Sequence, residues 1–337
     1  MSLMTEAFGT GEALDWRLRL LSGAYKRFGR SLSCRRVIRA TGIPALTRRW
    51  LRRQILTAQS AYADSVSVLL GVRNRSDHRL TNALRSIRAQ SLSRDAVTIQ
   101  VVDFGSSIEH AVAIQRQCLS ADAEYHRIDD VGVWSRSACM NQGLRLLRTK
   151  FVLFSDVDIV FSPTYLERAV ELLREEPLAM VCAPMHDLPE SSVRVTQEAA
   201  ASGKPLDLQP LRSETTRRRG WASHPSILAT WSVWPVLIGG YDEFYRHWGW
   251  EDEDLFRRLA RLGVKPRVAR DPHYYCHQWH PKMEGIPESE RVSAVDRGRA
   301  YFERTHSILR NLDARGIGSG KNHVGQVDGG HVGKTGT

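Results

Sequence analysis

Residues 151–158 read Phe-Val-Leu-Phe-Ser-Asp-Val-Asp, and this stretch decides the fold class. Four apolar residues in succession are typical of a strand that is buried on both faces, and polar residues follow it at once. Similar apolar runs at 66–72, 97–102 and 180–184 are separated by stretches with helical spacing. Alternating strands and helices predict an α/β fold with a mainly parallel sheet, which binds ligands beyond the carboxyl ends of its strands.

The positive charge of the chain is concentrated at its N-terminus. The 337 residues carry a net charge of +11, and residues 1–60 contain 12 basic side chains against 3 acidic ones. We expect this segment either to pack on the main domain as a basic helical extension or to contact an anionic membrane. Binding of nucleic acid is not expected, because the sequence has no recognised base-reading module.

Cysteine usage and hydropathy predict the compartment. The five cysteines are odd in number and have no CxxC spacing, which argues against a disulfide framework or a structural zinc site. The sequence has neither an apolar stretch of about 18 residues nor an apolar leader at its N-terminus. We therefore expect a cytoplasmic protein, peripheral at the cytosolic face of the membrane if residues 1–60 bind lipid.

Two carboxylates, those of Asp156 and Asp158, follow the central apolar strand. Strand side chains repeat every second residue, so both are expected on one side of the chain, where oxygen ligands can share a divalent cation, Mn²⁺ or Mg²⁺. The alternative is a solvated acidic turn. Two like charges at a buried sheet edge require a counter-ion, which favours the metal site.

A second acidic cluster lies in the stretch Trp-Gly-Trp-Glu-Asp-Glu-Asp at 248–254. Four consecutive acids repel one another, so we expect at least one raised pKa among them, at the start of a helix. Interaction with the helix dipole is the alternative role for these acids. Trp248 and Trp250 offer flat platforms for sugar rings, and with Tyr241 they are predicted to bind an acceptor, while a neighbouring carboxylate can take a hydroxyl proton.

Histidines follow the short strand predicted at 264–269. The stretch His-Tyr-Tyr-Cys-His-Gln-Trp-His at 273–280 contains two of them three residues apart, His277 and His280. A neutral imidazole there can complete the coordination of a cation held by Asp158. His277 is the preferred ligand and His280 the second choice.

Residues 65–285 resemble the inverting GT-A glycosyltransferases of the large family-two type, and the second half resembles the galactosyltransferase and chondroitin-polymerase C-terminal region. The motifs that carry the resemblance are, in chain order, Val66-Ser67-Val68 with Arg73 and Asn74, then 101–107, 136–143, Asp156-Val157-Asp158, 239–243 and 248–252. The resemblance implies a GT-A fold, in which a Rossmann-like, mixed and mainly parallel sheet is flanked by helices.

The resemblance also implies roles for individual residues. Asp252 matches the general base of the family, and Glu251 the acid that orients the acceptor. The metal-binding residues are Asp156, Asp158, His277 and His280. The donor-binding residues, with Asp103 expected at the uracil or ribose, are Val72, Arg73, Asn74, Asp103, Arg136, Asn141, Asp156, Gly239 and Gly240.

Two departures from the family pattern affect specificity. Phe104 stands where a second acid is usual, and Trp250 stands where a second glycine is usual before the Glu-Asp pair. The bulk of Trp250 narrows the space beside the sugar, so the galactose preference of the family is not carried over to this chain.

The function implied by the resemblance is metal-dependent transfer of a sugar from a nucleotide sugar, UDP-linked by expectation, with inversion. The acceptor is a hydroxyl group of a glycan, a lipid-linked saccharide or a small molecule. The alternatives are a retaining GT-A glycosyltransferase and a non-catalytic protein that binds a nucleotide sugar.

The expected domain organisation follows from these assignments and from composition. A polar, Pro- and Gly-containing segment at 187–222 is predicted to be an acceptor loop. The expected divisions are a basic helical extension at 1–62, a catalytic domain at 63–310 with a donor half at 63–160 and an acceptor and catalytic half at 161–310, and a disordered Gly-rich tail at 311–337.

Overall fold

A computed structural model describes residues 16–29, 38, 47, 49–51, 62–129, 132–220, 225–247, 249–281 and 288–311. The predictions for the Gly-rich tail, for most of residues 1–60 and for Trp248 therefore lie outside the described residues. Within the described ranges, no helix combines the length and the apolar character needed to cross a membrane.

Strands and helices alternate along the described chain. The strands are β1 (Ala63–Val72), β2 (Val97–Phe104), β3 (Glu124–Ile128), β4 (Thr149–Ser155), β5 (Ile159–Phe161), β6 (Ala179–Cys182), β7 (Met185–Asp187), β8 (Arg217–Arg219), β9 (Leu228–Trp231), β10 (Lys265–Val268) and β11 (Tyr275–His277). The helices are α1 (Trp16–Phe28), α2 (His78–Arg88), α3 (Ile108–Ser120), α4 (Arg136–Leu146), α5 (Tyr165–Glu175), α6 (Val193–Ser202), α7 (Leu208–Ser213), α8 (Val233–Leu237), α9 (Glu251–Leu262) and α10 (Glu288–Arg304).

The central sheet has seven strands in the order β10-β6-β9-β4-β1-β2-β3. Adjacent strands of this sheet run parallel to each other, except that β9 runs antiparallel to both β4 and β6. Val68 of β1 lies between Ile99 of β2 and Leu153 of β4, and all three are fully buried. The sheet is therefore mixed and mainly parallel, which confirms the predicted fold class.

A smaller sheet, in the order β5-β11-β7-β8, lies beside the first and carries part of the site. Strand β11 runs parallel to β7, which places His277 next to Asp187, and antiparallel to β5. The strands of this sheet are three residues long. That length is too short to give a recognisable period, so the sequence does not predict this sheet.

Helix α1, from the basic N-terminal segment, packs on the main domain. Leu18 and Leu21 are fully buried in the core, and burial of each such side chain contributes roughly 1.5–3 kcal/mol. The hydroxyl oxygen of Ser22 accepts hydrogen bonds from the amides of Ile308 and Leu309 at 3.1 and 3.3 Å. Helix α1 therefore packs on the main domain, as one of the two alternatives for residues 1–60 predicts. Contact of residues 1–60 with a membrane stays a prediction.

The segment 187–222 is more regular than the predicted loop. It contains β8, α6 and α7 besides the last residue of β7. Side chains of α2 hold α6 in place, because Asn82 donates to the carbonyl of Thr196 at 2.9 Å and Arg85 donates to those of Ala199 and Ala200 at 3.1 and 2.7 Å. These last carbonyls of the helix have no partner within it, so the arginine stabilises its end.

Helix α5 begins at Tyr165. The hydroxyl oxygen of the nearby Ser162 accepts a hydrogen bond from the amide of Tyr274 at 3.1 Å and so connects two chain segments. Thr164 occupies the position before the first helical residue, Tyr165.

Candidate active site

A cluster of one carboxylate and two imidazoles lies beyond β4 and β11. One ligand atom each of Asp158, His277 and His280, the metal cluster, lies within 4.8 Å of the others. Oδ2 of Asp158 is 3.8 Å from Nε2 of His277 and 3.3 Å from Nε2 of His280. Asp158 is 6% exposed and the histidine side chains are 23% and 20% exposed, so a solvated ion can reach them. This donor set can hold a divalent cation.

Hydrogen bonds on the far side of each imidazole ring determine which nitrogen faces the cluster. Nδ1 of His277 lies 3.2 Å from Oδ1 of Asp187, and Nδ1 of His280 lies 2.9 Å from the carbonyl oxygen of Pro281. Both partners are acceptors, so in the neutral rings each Nδ1 carries the proton and donates. In this tautomer each Nε2 faces Asp158, and a cation that displaces any proton from it would receive its lone pair.

Asp187 is itself held by an arginine. Arg219 donates to its carboxylate from Nε at 2.7 Å and from Nη2 at 2.6 Å. Burial would raise the pKa of Asp187, but the hydrogen bonds from His277 and Arg219 lower it to about 2. Burial would likewise raise the pKa of Asp158, but the hydrogen bond from His280 and the neighbouring positive charges hold it below its usual range. Both carboxylates are therefore ionised at neutral pH.

Asp156 does not join the metal cluster, which corrects the prediction that both carboxylates share one cation. Strand β4 ends at Ser155, and the amide of Ile159 donates to the carbonyl of Asp156 at 3.4 Å, so residues 156–158 form a turn. The two-residue alternation of a strand does not apply in a turn. Asp158 faces the histidines, whereas Asp156 pairs with Nε of Arg136 at 2.8 Å.

A second cluster, the arginine cluster, is centred on Arg136, whose side chain is 9% exposed. Besides Asp156, its guanidinium contacts the carboxylate of Asp252 through Nη1. Nη1 also donates to the hydroxyl of Tyr241 at 3.2 Å, and Nη2 donates to the carbonyl of Ser226 at 3.0 Å. The buried guanidinium of Arg136 thus holds Asp156 and Asp252, the predicted general base, at a fixed separation.

Burial raises the pKa of Asp252 well above its usual range; the charge of Arg136 opposes this rise, and those of Glu251 and Asp156 increase it. Burial also raises the pKa of Glu251. The expectation that neighbouring acids raise at least one pKa in this stretch is confirmed, with burial as the larger cause. A carboxylate of raised pKa is a stronger proton acceptor than an ordinary aspartate.

The other two acids of the stretch have structural roles. Asp254 is 1% exposed, and it accepts hydrogen bonds from Arg258 at 2.6 Å and from Arg310 at 2.9 Å. Glu253 pairs with Arg257 at the surface at 2.9 Å. The four acids therefore divide into a pair at the site and a pair that stabilises helix α9.

Arg73 and Asn74 lie at the rim of the site, directly after β1. The side-chain oxygen of Asn74, an exposed residue with φ of 53°, accepts from the amide of Ser107 at 2.8 Å, and its own amide donates to Ser106 at the same distance. Arg73 donates to the carbonyl of Gly132 at 2.7 Å. These bonds join the loop after β1, where the donor is predicted to bind, to the loops after β2 and β3.

Four residues predicted to contact the donor or acceptor are buried, and their ligand contacts stay predictions. Val72, Asp103, Asn141 and Tyr241 are each at most 1% exposed. The carboxylate of Asp103 accepts four hydrogen bonds from its surroundings. Asn141 uses its side chain on the backbone of Tyr241, whose ring packs edge-on against Phe154. These residues support the walls of the site from behind.

Gly239 and Gly240 permit close packing, and their predicted contact with the donor stays a prediction. Their φ angles are 83° and 69°. A Cβ on Gly239 would lie 2.1 Å from the carbonyl oxygen of Arg310, and one on Gly240 would lie 2.2 Å from the side-chain oxygen of Asn141. Of the acceptor platforms, Trp250 is partly buried with its ring 5.0 Å from that of Phe302.

Three functional side chains are not predicted from the sequence. They are Asp187 and Arg219 behind His277, and Arg75, whose Nη1 lies 3.6 Å from Oδ2 of Asp158. The only signal for Arg75 is its position beside the predicted donor-binding pair. Asp187 becomes recognisable only through the register of β7 and β11, which pairs it with His277.

Comparison with curated proteins finds a bacterial polysaccharide synthase. The chain is 28% identical over 192 residues to the hyaluronan synthase of Pasteurella multocida, and the match covers 48% of this chain. The same match covers 19% of that protein, so the chain spans about a fifth of the length of this relative.

Among solved structures, S. aureus TarS 1-349 in complex with UDP matches with a TM-score of 0.47 and 14% identity, over 70% of this chain and 71% of that chain. A second S. aureus TarS structure matches with a TM-score of 0.45 and 15% identity, over 68% and 42%. The family model described as glycosyltransferase like family 2 matches residues 67–279, more than half of the chain, and this range includes both aspartates of the 156–158 turn and Asp252. The chain therefore belongs to glycosyltransferase family 2, with the GT-A fold that its motifs predict.

Proposed function

We propose that this chain transfers a sugar from a uridine diphosphate sugar to a hydroxyl group of a saccharide, with inversion at the anomeric carbon. One observation carries the proposal: the turn 156–158 joins a set of metal ligands, through Asp158, to a partly buried carboxylate of raised pKa, Asp252, through Asp156 and Arg136. Family membership supports glycosyl transfer, and the relative named hyaluronan synthase supports a saccharide as acceptor.

The metal cluster fits Mn²⁺ better than Mg²⁺, because two of its three donors are imidazole nitrogens and Mg²⁺ prefers oxygen ligands. A divalent cation held by Asp158, His277 and His280 would neutralise the charge that develops on the diphosphate leaving group. The chain keeps Asp158 ionised and turns both Nε2 atoms toward it, so that each can release any proton and bind the ion. Arg75 adds a positive charge beside Asp158.

Asp252 is the proposed general base. Its side chain is 16% exposed, so the carboxylate is shielded from bulk water and can still meet an acceptor hydroxyl. Arg136 fixes the carboxylate in place, and the raised pKa favours uptake of the hydroxyl proton as that oxygen attacks the anomeric carbon. Glu251, buried beside it, is the proposed partner that orients the acceptor.

Thermal unfolding with a panel of nucleotides tests the donor site. A ligand that binds only the folded protein stabilises it by about 2.7 kcal/mol at a concentration 100 times its dissociation constant. We expect UDP to raise the unfolding temperature with Mn²⁺ and not with EDTA, and Asp158→Ala to abolish the difference. GDP and its sugar conjugates are the matched comparison. If no nucleotide stabilises well-folded protein, the donor site is wrongly assigned and the non-catalytic alternative is favoured.

Replacement of Asp252 by asparagine tests the general base. We expect transfer to fall by ~10²–10⁴ while UDP binding stays intact. Glu253→Gln is the matched control, because it removes the adjacent acid, which pairs with Arg257 at the surface. Proton NMR of the product reports the anomeric configuration, and retention would establish the retaining alternative. Substantial transfer by Asp252→Asn would remove Asp252 from the mechanism.

A further inference from the structure

A basic and aromatic groove runs along helix α10, beside the proposed active site. One part has a volume of about 490 Å³ and a second part of about 380 Å³ continues it, since the two share Phe244 and Arg297. We name this feature the arginine groove after its principal side chains, which are Phe244, Arg246, His247, Arg297, Tyr301 and Arg304.

The arginine groove carries positive charge without a matching acid. Arg246, Arg297 and Arg304 are exposed, and no acidic residue lines the groove in the part of the chain that the structure describes. Arg297 donates to the hydroxyl of Ser293, and Arg304 donates through Nε to the carbonyl of Ala300 at 2.9 Å. Both partners are neutral groups, and each guanidinium keeps further donors for a ligand.

A rigid aromatic surface lies among these arginines. The ring of Phe244 stacks on that of Tyr301, with 3.8 Å between centroids and 16° between planes, yet half of Phe244 is exposed. The hydroxyl of Tyr301 donates to Asp242 at 2.9 Å, which fixes the lower ring. An aromatic face suits the apolar face of a sugar ring, and guanidinium suits bidentate bonding to a carboxylate or phosphate.

The groove leads to both segments that carry the proposed chemistry. Gly249 lines the groove and precedes Asp252 by three residues. On the opposite side, the amide of His247 donates to the carbonyl of Trp134 at 2.8 Å, two residues before Arg136. The groove therefore adjoins the two chain segments that contain Asp252 and Arg136.

From these observations we infer that the arginine groove binds the acceptor, and that the acceptor is an anionic saccharide chain carrying carboxylate or phosphate groups. The inference rests on the proposed function, because it makes the groove the acceptor site of that transfer. A neutral acceptor would make no use of three adjacent guanidiniums, whereas an anionic one compensates their charge at the entrance to the site.

Direct binding to the full chain tests the inference without turnover. Calorimetric titrations use an oligosaccharide of alternating uronic acid and hexosamine, its carboxyl-reduced neutral form, and a phosphodiester-linked saccharide of equal length. We expect one or both anionic ligands to bind, more weakly as salt rises, and the neutral form to bind about tenfold more weakly. The anionic ligand that binds identifies the anion.

Variants locate the binding. Exposed ion pairs contribute up to about 1 kcal/mol each, about fivefold in affinity, so Arg297→Gln combined with Arg304→Gln should weaken anionic binding several-fold, up to about 25-fold. Arg299→Gln is the matched control, because Arg299 is exposed on the same helix and pairs with Glu303 outside the groove. This control should stay within about twofold of the wild type.

UDP with Mn²⁺ is titrated into the same samples, so that the two proposals can fail separately. Weaker saccharide binding by the double variant with unchanged UDP binding supports the groove. The inference is overturned if neither anionic saccharide binds, if the neutral form binds equally well, or if the double variant binds like the wild type. Saccharide binding by protein that does not bind UDP would overturn the proposed function and leave the groove as a saccharide site.

Discussion

Replacing Asp187 by asparagine is expected to weaken Mn²⁺ binding although Asp187 is not a proposed metal ligand. The carboxylate of Asp187 accepts a hydrogen bond from Nδ1 of His277, with 3.2 Å between nitrogen and oxygen. It also accepts two hydrogen bonds from Arg219 at 2.7 and 2.6 Å. The side-chain amide of the variant has only one acceptor oxygen. The guanidinium of Arg219 can only donate hydrogen bonds, so this oxygen faces Arg219. The amide nitrogen then donates to Nδ1 of His277, so the ring proton moves to Nε2, the atom that faces Asp158.

The expected size of the effect follows from the burial of this pair. Loss of an outer acceptor of this kind commonly weakens metal binding about 10- to 100-fold, which corresponds to about 1.4–2.7 kcal/mol. The side chains of Asp187 and His277 are 15% and 23% exposed, so water has little room to replace the lost acceptor. We therefore expect the upper part of that range.

Electron paramagnetic resonance of free Mn²⁺ during a titration measures the dissociation constant without turnover. Asp122→Asn is the matched control, because it removes a carboxylate that pairs with Arg94 at the surface and contacts no histidine. Circular dichroism establishes that each variant is folded. A dissociation constant for Asp187→Asn within about twofold of the wild type would refute the orientation assigned to His277.

Two further predictions concern stability and are measured by urea unfolding. Asp254→Ala leaves the guanidiniums of Arg258 and Arg310 buried without the carboxylate between them, and should lower the free energy of unfolding by about 3–5 kcal/mol. A loss below about 1 kcal/mol would show that other groups compensate these charges. Gly240→Ala places an alanine at a φ of 69° and a Cβ 2.2 Å from Asn141, and should cost about 1–3 kcal/mol. An unchanged midpoint would contradict the packing role given to that glycine.

Most of the central sheet is predictable because β1, β2 and β4 are separate apolar runs, each followed by a helical period. Strand β3, Glu-Tyr-His-Arg-Ile at 124–128, has no such run. Strand β9, Leu-Ala-Thr-Trp at 228–231, is fully buried but only four residues long, and its antiparallel insertion between β4 and β6 leaves no mark in the sequence. The small second sheet is hidden for the same reason. Both departures arise from pairings between distant segments, which local propensity does not encode.

The chemistry of the site is more predictable than its geometry. Asp158, His277 and Asp252 are recognisable because acids and histidines beside apolar strands or at a helix start are costly unless they have partners. Asp156 and Asp158 contact different clusters because β4 ends before them. Side chains alternate between the two faces of a strand, so a shift of one residue in the end of β4 would change the face on which each aspartate lies. Asp187 and its histidine are 90 residues apart and meet only through strand register.

Because Asp156 and Asp158 contact different clusters, one turn contributes to a positively charged side of the site and to a negatively charged side. Asp158 is the only acid in a metal cluster that also has Arg75 beside it, so a bound divalent cation would leave that side of the site positive, as a diphosphate requires. On the other side Arg136 faces Asp156, Asp252 and the buried Glu251; burial raises the pKa of Asp252, Arg136 opposes the rise, and the charges of Glu251 and Asp156 add to it. In the proposed reaction the leaving group departs toward the positive side and the hydroxyl proton toward the negative side. Had both aspartates bound the cation, Arg136 would face fewer acids, and the proposed base would lose part of the repulsion that raises its pKa.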